Sequence, residues 1–116
     1  MFKVYYLSYC SHSLETLKTL EELKLKKELI KCDSRNIEYP DTDKKIIPQG
    51  YSTYPQVLFE STNSKTLFIG GNSEFQELIK LLNKLKKNVN AKIKPQRYIQ
   101  KENTCLILYN IINKIK

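Results

Sequence analysis

The chain has no tryptophan, one histidine, one methionine, three glycines and three cysteines in 116 residues, and each scarcity narrows what it can be. Cys10, Cys32 and Cys105 cannot all pair within one chain, and their spacing matches neither a zinc site nor the disulfide framework of a small secreted domain. No apolar run approaches the roughly 18 residues that mark a membrane span. Met1 leads straight into strand-like sequence, without the basic region and apolar stretch of a secretory signal. The expectation is a soluble protein of a reducing, cytoplasmic compartment. At this length one domain buries a real core without disulfide staples. Lysine, isoleucine, asparagine and tyrosine are abundant while glycine and alanine are scarce, a bias that points to AT-rich coding, as in a large DNA virus, more than to a demand of the fold.

Excess charge is also missing from most of the chain. In residues 1–83 eleven Lys and Arg balance eleven Asp and Glu, whereas residues 84–116 carry nine basic residues against Glu102 alone, so the whole net charge of +8 lies there. A basic block is the electrostatic footprint of a nucleic-acid or anionic-surface binder, yet a lysine-rich face is more often plain solvated surface. Residues 1–87 are therefore read as a domain and residues 88–116 as a basic C-terminal extension. Neither nucleic acid nor membrane is expected as a partner.

Phe2-Lys3-Val4-Tyr5-Tyr6-Leu7 is short, aromatic and β-branched, as a mostly buried strand should be, and it ends at the polar Ser8-Tyr9-Cys10-Ser11-His12-Ser13. Leu14, Leu17, Leu20 and Leu23 then recur with helical spacing, which predicts a helix from about Ser13 to Lys27 with Cys10 at its N-terminus. Glu28 to Cys32 reads as a second strand, closing a right-handed β-α-β unit in which Cys32 is a core residue. Pro40 and Asp41 start a short helix that Pro48 and Gly50 stop. Gln56–Glu60 and Thr66–Ile69 flank the turn-rich Ser61-Thr62-Asn63-Ser64, the pattern of an antiparallel hairpin. Phe75, Leu78, Ile79, Leu82 and Leu85 form a helical stripe after Gly70-Gly71, with Ser73 and Gln76 spaced as a capping box. Residues 88–100 suit a linker interrupted by Pro95. Cys105, Leu108, Tyr109, Ile112 and Ile115 then repeat as an amphipathic helix over about residues 101–115, packing on the domain or pairing two chains in a weak homodimer.

The order β-α-β-α-β-β-α, together with Tyr9-Cys10-Ser11-His12-Ser13, Thr53-Tyr54-Pro55 and Gly70-Gly71, resembles the glutaredoxin family over roughly residues 1–87. The resemblance implies an α/β, thioredoxin-like four-stranded mixed sheet flanked by helices. It also implies a Cys-x-x-Ser active site, a cis proline at Pro55 and glutathione as co-substrate. A thiol at a helix N-terminus meets unpaired N–H groups and the positive end of the helix dipole, so Cys10 is the expected nucleophile. Ser13 stands where a dithiol relative has its resolving cysteine, so the implied chemistry is monothiol: Cys10 takes glutathione from a glutathionylated protein and a second glutathione releases it. His12, if protonated, stabilises the thiolate; if exposed, it does nothing. The resemblance further implies that the backbone of Tyr54, with Thr53 and Pro55, pairs with the cysteinyl part of glutathione, and that Gly70, Gly71, Asn72 and Ser73 hold its γ-glutamyl end.

Three departures stand out. Leu7 and Ser52 occupy positions where the family commonly has basic residues, and Tyr54 replaces a small aliphatic residue. Lys44, Lys45 or the basic extension is left to supply the missing charge. Two rival readings remain. One is a [2Fe-2S] cluster-binding module in which Cys10 and glutathione thiolates from two protomers are the ligands, although Ser11-His12 replaces that subfamily's Gly-Phe. The other is an interaction protein that has kept the fold and lost the chemistry.

Overall fold

The computed structural model describes residues 1–34, 37–62 and 65–115, without the side chains of residues 114 and 115. Asn63 and Ser64 of the expected turn and the side chain of Ile115 thus lie outside the described residues. The elements are β1 (Phe2–Tyr6), α1 (Ser11–Glu22), β2 (Lys27–Lys31), α2 (Asp41–Ile46), β3 (Gln56–Glu60), β4 (Thr66–Gly70), α3 (Asn72–Lys87) and α4 (Lys101–Ile115). Among the described residues the strands form one mixed sheet in the order β2-β1-β3-β4. β1 and β2 run parallel across the α1 crossover, while β1–β3 and β3–β4 are antiparallel. This is the thioredoxin-like α/β arrangement, with α4 added behind it.

Alternation along the strands divides the interior. Phe2, Val4, Val57, Phe59 and Ile69 face Leu20 of α1, the stripe Phe75, Leu78, Ile79, Leu82 and Leu85 of α3, and Ile107, Leu108 and Ile111 of α4. Tyr5, Leu58 and Phe68 point to the other face, where Ile46 and Ile47 at the end of α2 meet Tyr39, Tyr51, Tyr54 and Tyr98. Period-two sequence on the strands and helical spacing on α3 are what make both layers possible. Under α2 the second layer holds a buried ion pair: Lys3 Nζ lies 2.8 Å from Asp43 Oδ2, and the Tyr5 hydroxyl donates to the same carboxylate. Burial opposes the charge on Lys3, but Asp43 outweighs it and raises the ammonium pKa.

Several local expectations are corrected. Helix α1 begins at Ser11 and ends at Glu22, earlier at both ends than the leucine spacing predicts, because Leu23 closes the helix and Lys24 adopts a positive φ of 53° before β2. Its buried face is Ser13, Thr16 and Leu20, while Leu14 is 49% exposed. Leu17 and Leu23 pack against the first layer beside Leu20, so the leucine stripe fails at Leu14 alone, while the threonines it passes over make polar bonds to α3: Thr16 donates to Asn72 Oδ1 at 2.8 Å, and the Gln76 amide donates to Thr19 Oγ1 at 3.0 Å. Ser73 and Gln76 accordingly form no capping box. The start of α3 is instead fixed by Glu74, whose Oε1 accepts the Gly71 N–H at 2.9 Å. Strand β2 stops at Lys31, one residue before the fully buried Cys32. On α4 the inward residues are Thr104, Ile107, Leu108 and Ile111, while Tyr109 turns outward. Residues 88–100 do more than link, because Ile99 is buried in the first layer and Tyr98 packs in the second. Among the described residues no helix is long and apolar enough to cross a membrane.

Candidate functional site

The site forms where β1 ends, α1 begins, and the loops before β3 and after β4 arrive at the same end of the sheet. After β1 the Cys10 N–H bonds back to the Leu7 carbonyl at 3.2 Å, and the Leu14 N–H bonds to the Cys10 carbonyl at 3.0 Å. Cys10 is thereby the N-cap residue of α1 itself, with extended φ of −98° and ψ of 123°. Asp33, at the end of the neighbouring strand, steadies the approach by accepting the Ser8 N–H at 2.8 Å and the Ser8 hydroxyl.

The Cys10 sulfur is half-buried, and as a thiol it donates to the Tyr54 carbonyl at 3.8 Å. As a thiolate it is favoured, chiefly by the backbone N–H of Ser13. Partial burial works against this, while the His12 N–H and the Ser13 hydroxyl add to it, and the balance holds the pKa below that of an ordinary thiol. Ser13 is wholly buried, and its Oγ accepts the Leu7 N–H at 3.2 Å, which orients the hydroxyl toward the sulfur. Burial pushes the Cys32 thiol the other way, up, so Cys32 is built to be inert. Cys105, on α4, is half-buried.

The Tyr54-Pro55 bond is cis. Pro55 is buried at the head of β3, and Tyr54 presents its carbonyl to Cys10 while its ring is turned into the second layer. There its hydroxyl lies 3.2 Å from that of Tyr39, which in turn donates to Gln56 Oε1 at 2.9 Å. The ring is therefore pinned inward rather than standing over the thiol. On the far side Gly70 has φ of +127°, and an added Cβ would lie 2.6 Å from Glu74 Oε1. At Gly71 a Cβ would lie 2.9 Å from the Tyr51 hydroxyl, so a side chain there would have to displace the Tyr51 ring.

Two clefts share Tyr51 and Tyr54, the residue whose carbonyl the Cys10 thiol meets. One, of about 570 Å³, is lined among others by Leu7, Lys44, Pro48 and Ser52. The other, of about 340 Å³, takes His12, Thr53, Gly71, Asn72, Ser73 and Glu74 on one side and Arg97 with Tyr98 on the other. Of the residues singled out from sequence, His12, Thr53, Tyr54, Gly71, Asn72 and Ser73 line this cleft, and Cys10 adjoins it through the Tyr54 carbonyl, with Ser13 and Pro55 buried and Gly70 buried where β4 ends. Tyr9 and Ser11 point to solvent at the rim, Tyr9 being 64% exposed. Asn72 lines the cleft while its side-chain oxygen accepts from Thr16, tying α1 to α3.

No family model matches the chain, and no curated protein matches it. Among solved structures it is similar to reduced Escherichia coli glutaredoxin, with 18% identity, 78% of this chain and 98% of that chain covered, and a TM-score of 0.49. The fold assignment rests on the strand order and connections described above.

Sequence reasoning missed Arg97, Tyr98, Tyr51 and Glu74. Glu74 carried a detectable signal, three residues beyond the glycine it caps. Arg97 and Tyr98 carried none, because they enter from a segment whose composition reads as a linker. Among the described residues no three His, Cys, Asp or Glu side chains gather into a metal cage. An iron–sulfur cluster would therefore rest on Cys10 and glutathione thiolates, not on the chain's own ligand set.

Proposed function

We propose that the protein is a glutathione-dependent thiol-disulfide oxidoreductase that works through Cys10 alone. The observation that carries this reading is the Cys10 sulfur at the start of α1, biased toward thiolate and directed at the backbone carbonyl that precedes the cis Pro55. An extended cysteinyl backbone lying against Tyr54 would bring its own sulfur to that of Cys10, in the manner of an added strand. The groove's charges suit the rest of the tripeptide, because Lys44 is the basic residue at the end where Leu7 and Ser52 bring none.

In the first step the Cys10 thiolate attacks the glutathionyl sulfur of a protein–glutathione disulfide. A Cys10–glutathione disulfide forms, the original S–S bond breaks, and the protein thiolate leaves with the electron pair and takes a proton. A second glutathione thiolate then attacks the glutathionyl sulfur, releasing Cys10 as thiolate and glutathione disulfide as product. The net reaction turns one protein–glutathione disulfide and one glutathione into one protein thiol and one glutathione disulfide. Ser13 cannot intercept the intermediate, and Cys32 is sealed in the core, so no second thiol of the motif competes. The test is intact mass measurement after exposure to glutathione disulfide, followed by turnover of a glutathionylated peptide. A single glutathione adduct mapped to Cys10, and loss of both adduct and turnover in Cys10→Ser, is the expected result. Retained turnover in that variant would dismiss the mechanism.

A further inference from the structure

The C-terminal extension reaches the groove through one tight turn. The Gln96 and Ile99 backbones bond each other in both directions, N–H to carbonyl at 2.8 Å and 3.4 Å, which leaves Arg97 and Tyr98 as the two residues at the corner. Both ends of this turn are anchored. Ile99 is 4% exposed within the layer that α3 and α4 cover, and Tyr98 packs edge-on against Phe68 and Tyr51, with ring centroids 5.1 Å and 6.1 Å apart. Since these neighbours enter opposite layers, the turn straddles the free side of β4. The Arg97 guanidinium then rests 5.4 Å from the centroid of the Tyr98 ring, at the wall of the smaller cleft.

Arg97 has no salt-bridge partner among the described residues. The one carboxylate that shares its cleft, Glu74, is held by the Gly71 N–H. The cleft therefore carries one cation, resting on Tyr98, and one anion, held at the start of α3, whereas the larger cleft has Lys44 as its charged residue. Glutathione has the same asymmetry, with a zwitterionic amino-acid head on its γ-glutamyl end and a bare carboxylate on its glycyl end.

We propose that the Arg97–Tyr98 turn is part of the binding site: Arg97 pairs with the α-carboxylate of the γ-glutamyl group, Glu74 takes its ammonium, and Tyr98 holds the guanidinium in place. This rests on the glutathione reading of Cys10 above. A planar guanidinium stacked on a ring is pre-organised for a carboxylate, as a free lysine is not. The extension thus supplies specificity for γ-glutamyl disulfides.

The test uses the full chain and two small disulfides, glutathione disulfide and the disulfide of cysteinylglycine, which lacks both γ-glutamyl groups. Initial rates of Cys10 adduct formation are followed by mass. Wild type should favour glutathione disulfide, and in Arg97→Gln the ratio of the two rates should fall about tenfold, as for loss of one charge-assisted hydrogen bond. Arg97→Lys should recover part of that ratio. A ratio unchanged in Arg97→Gln overturns the proposal while leaving the Cys10 mechanism standing. A wild-type Cys10 that takes no adduct from glutathione disulfide overturns the underlying reading, and this proposal with it.

Discussion

Replacing Ser13 by alanine removes one oxygen from a wholly buried position and with it two interactions. The first is structural: the Leu7 N–H, which donates to Ser13 Oγ at 3.2 Å, loses its acceptor in a part-buried place. Leaving such a donor unsatisfied costs about 1–2 kcal/mol, or about 5–10 °C in thermal midpoint for a domain of this size. The second is chemical, because the hydroxyl is one of the groups that hold the Cys10 pKa down. It is the last of them in weight, after the Ser13 and His12 backbone N–H groups, which the substitution keeps. The Cys10 pKa should therefore move up in Ser13→Ala but stay below that of an unperturbed thiol, about 8.5. The assay is the pH dependence of iodoacetamide alkylation, read at Cys10 by peptide mass. An inflection identical in wild type and Ser13→Ala, despite the lowered thermal midpoint, would make the hydroxyl purely structural and refute the chemical half of the argument. An inflection at the free-thiol value in wild type would refute the rest.

Because the folded-state pKa of Cys10 is depressed, its ionisation stabilises the fold fully above the unfolded thiol range, and that contribution is lost as pH falls through the folded value. Cys10→Ser, which cannot ionise, should match wild-type stability best at low pH and fall behind as pH rises, as urea titrations across the range would report. Gly70→Ala should cost more than Gly50→Ala, since both have positive φ but a Cβ meets Glu74 at 2.6 Å in the first and nothing within 4 Å in the second. Backbone strain and loss of the α3 cap together come to about 2–4 kcal/mol, and equal unfolding midpoints for the two variants would contradict this. Lys3→Met should destabilise by about 3–5 kcal/mol by stranding the buried Asp43 carboxylate, and the double variant Lys3→Met/Asp43→Leu should recover most of that loss. A maleimide footprint of the native protein should label Cys10 and spare Cys32, whose thiol is both buried and raised in pKa.

Much of the sheet is legible because its strands are short apolar runs separated by strong turn chemistry, and α3 because its five apolar positions all face one layer. The thiol, the cis proline and the glycine pair are legible for a different reason: each is a residue type with a backbone job, set at the end of an element. On α1 the stripe holds for Leu17, Leu20 and Leu23, and what it misses is the polar part of the inner face, Ser13 and Thr16, in place of the exposed Leu14. Leucines mark a helix surface only where its neighbour is apolar, and the neighbour of Ser13, Thr16 and Thr19 is the polar start of α3, with Asn72 and Gln76. Earlier onset of α1 places Ser13 in the first turn, three residues after the Cys10 N-cap, where its hydroxyl accepts the Leu7 N–H. The turn at Arg97 and Tyr98 is illegible because nothing local distinguishes an anchored loop from a free one. Its anchors, Phe68 and Tyr51, are far away in sequence.

The distribution of charge gains a meaning once the turn is in place. Residues 1–83 are neutral overall, and the positions nearest the thiol that lack basic residues, Leu7 and Ser52, lie in the larger cleft with Lys44. A ligand with two carboxylates and one ammonium therefore meets little net attraction from the sheet and its first helices, and the cation for its other end has to come from the basic segment. That segment cannot be removed to prove the point, because Ile99, Ile107, Leu108 and Ile111 belong to the same buried layer as α3. Truncation at residue 88 would expose that layer and report on folding, whereas exchange of the exposed Arg97 leaves the buried layer intact and removes only the cleft's charge and its contact with the Tyr98 ring. A fall in γ-glutamyl preference with Arg97→Gln, at an unshifted thermal midpoint, would separate recognition by the extension from its part in the core; a shifted midpoint with preference retained would assign the segment to packing alone.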